Sequence, residues 1–300
     1  MTGPAQLRRP TPLALWWQGA RPRTLAISAV PVAVGAAAAA PHLSAWRTAA
    51  AAVTALGLQV GVNYANDYFD GVRGVDTAAR VGPTRLVASG LASPRAVAAA
   101  AAAAIGVAAV AGIALAVAVG PALLLVGAAA IVATLLYSGG PRPYAAAGLG
   151  ELAVFAFFGP VATVGTALVE TGGAIPAAAW WASLPCGLLA VDVLLVNNLR
   201  DIPTDAATGK RTLAVRIGDP ASRRLFALVL AAAYASVAAG VLVRALPVTA
   251  SLALLALPLA RTPLTVVARA RGRELVAGLI ATARLHLVTG VLLTVGLALR

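Results

Sequence analysis

RAVAAAAAAAIGVAAVAGIALAVA, residues 95–118, carries one charge, Arg95 at its first position, and otherwise consists of Ala, Val, Ile, Gly and Leu. A helix needs about 20 consecutive apolar residues to cross a bilayer, and this stretch supplies them. Its small residues suit close helix packing in lipid. Outward from it, eight comparable runs lie at 24–41, 46–66, 121–138, 148–169, 177–199, 221–243, 247–268 and 275–298. The nine runs predict an all-α membrane protein of about nine transmembrane helices. They form a single domain over residues 1–300, with 1–20 as an N-terminal cytoplasmic tail. The first run follows Arg21-Pro-Arg23 and is succeeded at once by further spans, so it reads as a retained helix and not a signal peptide.

Composition excludes the alternatives. The chain is 60% hydrophobic and 11% charged, with a mean hydropathy of +0.89. A soluble domain runs near 45–50% apolar and about 25% charged, and no globule of this size has enough interior to hide such a surplus. The lone Cys186 forbids an intrachain disulfide and, within an apolar run, reads as a buried inert thiol.

The net charge of +13 would suggest nucleic acid on a soluble protein. Here the basic residues sort by loop instead, and no nucleic-acid partner is expected. Nineteen of the 23 Lys and Arg fall in the N-terminal segment and the loops after the second, fourth, sixth and eighth runs. Three (Arg47, Arg244 and Arg300) fall on the other side, and Arg284 lies within the last run. Membrane proteins keep Lys and Arg on the cytoplasmic side, so the N-terminus and those loops are expected there. Trp16, Trp17, Trp46, Trp180 and Trp181 sit near predicted span ends, as an aromatic belt requires.

Two cytoplasmic loops are long, and each begins with an acidic helix end. The first reads Asn63-Tyr-Ala-Asn66-Asp67-Tyr-Phe-Asp70-Gly-Val-Arg73-Gly-Val-Asp76. On a helix, Asn63, Asp67 and Asp70 are expected to share a face. The second reads Asn197-Asn198-Leu-Arg200-Asp201-Ile-Pro-Thr-Asp205 and runs on to Gly209-Lys210-Arg211-Thr212. Asn197, Asp201 and Asp205 are spaced by four, although Pro203 disfavours a regular helix across Asp205. The two ends belong to parallel spans and emerge on one side. Carboxylates and carboxamides suit Mg²⁺, a hard ion that commonly bridges to substrate phosphates. Zinc would want imidazole or thiolate, and His42 and His286 lie far from both clusters. Arg73, Arg80, Arg85, Arg200, Lys210 and Arg211 are interleaved with the acids. Carboxylate-held Mg²⁺ inside a ring of cations describes a diphosphate site.

These residues carry a resemblance. Asn66-Asp67-x-x-Asp70 and Asp201-x-x-x-Asp205 resemble the two aspartate motifs of the UbiA superfamily of membrane prenyltransferases. The finer text is similar to its menaquinone-synthesis branch, the MenA type, which prenylates 1,4-dihydroxy-2-naphthoate. The matching strings are Arg21-Pro-Arg-Thr-Leu25, Asn66-Asp-Tyr-Phe-Asp70 with Gly74-x-Asp76, Arg80-Val-Gly-Pro-Thr-Arg85, Tyr137-Ser-Gly-Gly-Pro141, Gly148-Leu-Gly-Glu151 and Asn197-Asn-Leu-Arg-Asp201. One departure stands out: the general pattern has a third Asp four residues after Asp70, where this chain has Gly74.

The resemblance implies helices around a central cavity, a polyprenyl diphosphate and dihydroxynaphthoate as substrates, and Mg²⁺ as cofactor. It implies a multi-pass protein of the bacterial inner membrane whose active site faces the cytoplasm. Asn66, Asp67, Asp70, Asp76, Asn198, Asp201 and Asp205 would hold the metal. Arg73, Arg80, Arg85, Arg200, Lys210 and Arg211 would bind the diphosphate. Asn63, Tyr137, Arg142, Tyr144, Arg21 and Arg23 would meet the acceptor. Asp192, two turns above the second cluster, is costly at that depth and is expected to act in catalysis. His286 reads as a packed core histidine. Rival readings are a family member with another acceptor, such as 4-hydroxybenzoate or haem, a CDP-alcohol phosphotransferase, and a transporter. The second lacks its Gly-x-x-x-Asp-x-x-x-Asp continuation, and the third expects its acids at the midplane.

Overall fold

A computed structural model describes residues 11–75, 82 and 84–299. Its helices in chain order are α1 (Pro12–Ala20), α2 (Ala26–Ala38), α3 (Ala45–Val72), α4 (Pro94–Val119), α5 (Ala122–Ser138), α6 (Gly150–Ala156), α7 (Ala162–Thr171), α8 (Ala177–Ala207), α9 (Leu213–Ile217), α10 (Asp219–Leu242), α11 (Arg261–Arg269) and α12 (Leu275–Ala298). No strand occurs among the described residues. Widened turns at 145–149 and 157–161 carry α6 and α7 within one helical segment, Ala145–Thr171. Pro160, which has no N–H to donate, sits in the second of them. A tighter helical stretch, Val248–Ala260, leads into α11.

Each of the nine apolar runs becomes a helical segment. Six segments are long and apolar enough to cross a membrane, while α2 and α5 are shorter apolar helices. α3 is 28 residues long but ends in its polar tip. Nine is therefore an approximate count of crossings. Within the segment expected as an N-terminal tail, residues 12–20 form α1. Thr11 caps it, and it packs on α3, where Tyr64 Oη donates to the Trp16 carbonyl at 2.6 Å.

α3 packs along α4, α8 along α10, and α12 against α2 and α8. The backbones come very close. A Cβ on Gly35 of α2 would stand 2.2 Å from the Thr163 carbonyl oxygen of α7, so only glycine permits that approach. At the end away from the aspartates, the buried Glu170 carboxylate accepts from Ser44 N–H and from Thr48 Oγ, both at 2.6 Å. It thereby caps the start of α3 from α7.

Pro203 does not break α8. The helix continues to Ala207, and the Thr204 and Thr208 hydroxyls donate to the Asp201, Thr204 and Asp205 carbonyls across its last turns. Asp201 and Asp205 are therefore one turn apart on a single helix.

Candidate active site

The ends of α3 and α8 meet across one cavity of about 550 Å³. Its polar mouth holds Asn63, Asn66 and Asp70 from α3 and Asn197, Asn198, Asp201 and Asp205 from α8. Arg21, Arg73, Arg85, Tyr137, Tyr144 and Lys210 also line it. Beyond the mouth the wall turns apolar, with Val62, Ala130, Phe157, Val161 and Leu123 along it. On α5 the lining runs from Ser138 back to Leu123, fifteen residues or about 22 Å of helix.

The two clusters are physically linked. Lys210 Nζ, just past α8, lies 3.0 Å from Asp70 Oδ2 on α3. Arg85 Nη2 approaches the same oxygen at 3.5 Å. Arg200 grips Asp201 with two bonds of 2.7 and 2.6 Å and donates to Asn197 Oδ1 at 2.9 Å. Asn63 Nδ2 donates to the Ala20 carbonyl at 2.9 Å. Tyr137 and Tyr144 meet edge to face, with centroids 5.5 Å apart. Burial pushes the Tyr144 hydroxyl up to about 12, so it stays neutral, and it donates to the Ala133 carbonyl.

Several expected site residues lie elsewhere. Asp67 is 2% exposed and does not line the cavity. Its two oxygens accept from the Leu86 and Val87 N–H groups at 2.8 and 2.9 Å. The reason is angular: at about 100° per residue, Asp70 falls about 40° from Asn66, while Asp67 falls about 100° away. Asp192 is fully buried, and neither carboxylate oxygen has a hydrogen-bond partner among the described residues. Nine residues before Asp201 is half a helical rotation, about 180°, so Asp192 faces away from the cavity. It lies within electrostatic reach of Tyr234 of α10.

Arg200 is buried against Asp201 and does not reach the cavity wall. Arg23, Arg142 and Arg211 are exposed and lie off that wall. Arg73 lines the cavity, but its guanidinium donates to the Ser138 carbonyl at the end of α5 and the Gly140 carbonyl just past it. Asn66 lines the cavity, and its Oδ1 accepts from Ser138 Oγ at 2.7 Å, a bond that leaves its Nδ2 donor and a second oxygen lone pair. Asp76 and Arg80 lie outside the described residues.

Two groups escaped the sequence reading. Gln59 lines the cavity one turn before Asn63, and a lone carboxamide within an apolar run was its available signal. Ser138 stands inside the Tyr137-Ser-Gly-Gly-Pro141 string, which gave it no role of its own.

The oxygen-only donor set fits a hard divalent cation such as Mg²⁺. Among the described residues no three His, Cys, Asp or Glu side chains form a ready-made cage. Mg²⁺ usually takes one or two carboxylates and completes its shell with water and substrate phosphate.

Comparison with known proteins agrees with this architecture. The UbiA prenyltransferase family matches residues 28–264. A Mycobacterium tuberculosis (strain ATCC 25618 / H37Rv) protein named 1,4-dihydroxy-2-naphthoate octaprenyltransferase is 47% identical over 227 residues, 73% of this chain and 75% of that one. The Escherichia coli (strain K12) protein of the same name is 34% identical over 223 residues, 72% of each chain. Among solved structures, a UbiA homologue from Aeropyrum pernix K1 has a TM-score of 0.70 at 17% identity, covering 91% of this chain and 97% of that one. A UbiA homologue from Archaeoglobus fulgidus bound to GPP and Mg²⁺ has a TM-score of 0.62 at 17% identity, covering 93% and 99%. The structures speak to the fold and the sequence relatives to descent; both polar helix tips lie inside the matched region, and the chain belongs to the UbiA prenyltransferase family.

Proposed function

We propose that this protein transfers a polyprenyl group from a polyprenyl diphosphate to 1,4-dihydroxy-2-naphthoate, with loss of carbon dioxide, as a step of menaquinone biosynthesis. The observation that carries the reading is the single cavity whose mouth joins hard oxygen donors to cations and whose shaft is apolar. The sequence relatives named for that activity support the choice of acceptor. The protein is a multi-pass membrane protein, and the sorting of its basic loops supports a mouth on the cytoplasmic side of a bacterial inner membrane.

Asp70, Asn198, Asp201 and Asp205 would hold the metal. Mg²⁺ would supply positive charge to offset what builds on the leaving diphosphate. Lys210 and Arg85 stand ready on Asp70 to take up that charge, and Asn66 Nδ2 donates to a phosphate oxygen. The allylic C–O bond breaks, its electron pair leaves with the diphosphate, and the apolar shaft keeps water from the allylic cation. The carboxylated ring carbon attacks that cation. The new C–C bond forms as the bond to the carboxylate breaks, whose electrons restore the aromatic ring. Arg21, which lines the cavity in a left-handed backbone conformation (φ 56°), meets the acceptor's carboxylate beside Tyr137, Tyr144 and Asn63.

The test supplies purified protein with polyprenyl diphosphate, Mg²⁺ and dihydroxynaphthoate, 4-hydroxybenzoate or haem in parallel. Mass spectrometry should find a prenylated, decarboxylated naphthoquinol. Product from another acceptor alone would overturn the assignment.

A further inference from the structure

Glu151 has no role in the reading above, yet it sits against the second cluster. It opens α6 in Gly148-Leu-Gly-Glu151 and is 6% exposed. Its placement is local in origin. Gly148 adopts a left-handed conformation (φ 84°), and a Cβ there would meet Arg216 Nε at 2.9 Å and the Arg211 carbonyl at 3.2 Å. Arg211 N–H in turn donates to the Ala146 carbonyl at 2.9 Å. This turn is pinned to the segment after α8, and α6 starts with Glu151 facing α8.

Glu151 Oε1 accepts from Asn198 Nδ2 at 2.9 Å, and Oε2 is buried without a hydrogen-bond partner among the described residues. A carboxamide has one donor end and one acceptor end, whereas a carboxylate only accepts. The carboxylate therefore fixes the polarity of Asn198: the NH₂ faces Glu151 and Oδ1 is left for the cavity that Asn198 lines. Asn66 is held in the opposite sense, by its oxygen. Of the carboxamides lining the cavity, Asn66 and Asn198 are thus held by opposite ends.

We propose that Glu151 is a positioning residue that holds Asn198 with its oxygen towards the divalent cation. The proposal rests on the metal site described under the proposed function. Outer partners of metal ligands typically change affinity on the order of 10–100-fold when replaced. An amide at position 151 can donate or accept, so it no longer enforces the polarity. Glu151→Gln combined with Asn198→Asp exchanges the two chemistries and again leaves an oxygen facing the cavity.

The test measures Mn²⁺ binding by electron paramagnetic resonance on the purified full-length protein, with inorganic pyrophosphate as the probe anion. Glu151→Gln should weaken Mn²⁺ binding on the order of tenfold. The exchanged double variant should recover to near the parent value, and thermal unfolding should show all variants folded. In an Asn198→Ala background, Glu151→Gln should change nothing further. Equal losses from Glu151→Gln with and without Asn198, or parent-like binding in Glu151→Gln, would overturn the proposal and leave the metal site standing. Absence of Mn²⁺ binding in the parent protein would overturn the metal site and this proposal with it.

Discussion

Lys210 and Asp70, 140 residues apart in the chain, join their charged groups at 3.0 Å across the mouth of the cavity. The ammonium comes from the segment after α8 and the carboxylate from the tip of α3, so the pair closes the two halves of the site on each other. Both groups are more than three-quarters buried. A diphosphate arriving with its cation offers each a new partner: metal for the carboxylate, phosphate oxygen for the ammonium.

Lys210→Ala removes that phosphate partner and leaves Asp70 with Arg85. The loss of one preorganised charge at a leaving group costs on the order of 10²–10³ in rate. Steady-state kinetics should show kcat/KM for the polyprenyl diphosphate falling in that range, with KM for the acceptor nearly unchanged. A rise in the acceptor KM with kcat unchanged would place Lys210 outside the diphosphate site.

Asp67 and Asp70 should separate in a metal titration. Asp67 holds the backbone of Leu86 and Val87, next to Arg85, which it thereby keeps near Asp70. Asp67→Ala removes two hydrogen bonds to a charged acceptor, each worth roughly 1.5–3 kcal/mol, and should lower the unfolding midpoint together with activity. Asp67→Asn keeps one acceptor and should leave the Mg²⁺ concentration at half-maximal rate where it was. Asp70→Asn should raise that concentration. A rightward shift in Asp67→Asn as large as that in Asp70→Asn would restore Asp67 as a metal ligand.

Arg21 should discriminate acceptors by their carboxylate. Arg21→Gln keeps a polar side chain but removes the positive charge. KM for dihydroxynaphthoate should rise on the order of tenfold or more, the range of a lost charge-assisted bond, while KM for the polyprenyl diphosphate holds. Binding of 1,4-dihydroxynaphthalene, which lacks the carboxylate, should be the same in both proteins, as read by competition. A matching loss for that analogue would mean Arg21 only shapes the wall.

Apolar length and loop charge made the helical membrane fold legible, because nine runs of about spanning length leave few other solutions. Both polar tips were legible for the same kind of reason: Asn and Asp rarely close an apolar span. Which face each acid takes was less so. Asp67 stands about 100° round α3 from Asn66, and the turn at Leu86 and Val87 captures it, a long-range partner that spacing alone does not name. Asp192 looked functional from depth alone, and only counting the rotation from Asp201 sends it to the far side. The Glu151–Asn198 bond spans 47 residues and depends on a left-handed turn at Gly148 that aligns two distant segments.

The shaft sets how long a chain fits, and Gly127 gives a handle on it. Gly127 lies on the cavity wall, eleven residues before Ser138, and a Cβ there would meet nothing within 4 Å. Along a helix that offset is about 16 Å below the polar mouth. Gly127→Phe therefore adds bulk to the shaft without displacing backbone and without touching the diphosphate groups. Turnover of geranyl diphosphate, whose chain ends near the mouth, should stay within about twofold of the parent, because the change removes no contact made at the reacting end. Turnover of an octaprenyl diphosphate should fall on the order of tenfold or more, since its tail meets the ring where overpacking costs about 1–3 kcal/mol. Side-by-side rates on the two donors decide it: a uniform drop on both would show that the tail does not follow the α5 wall.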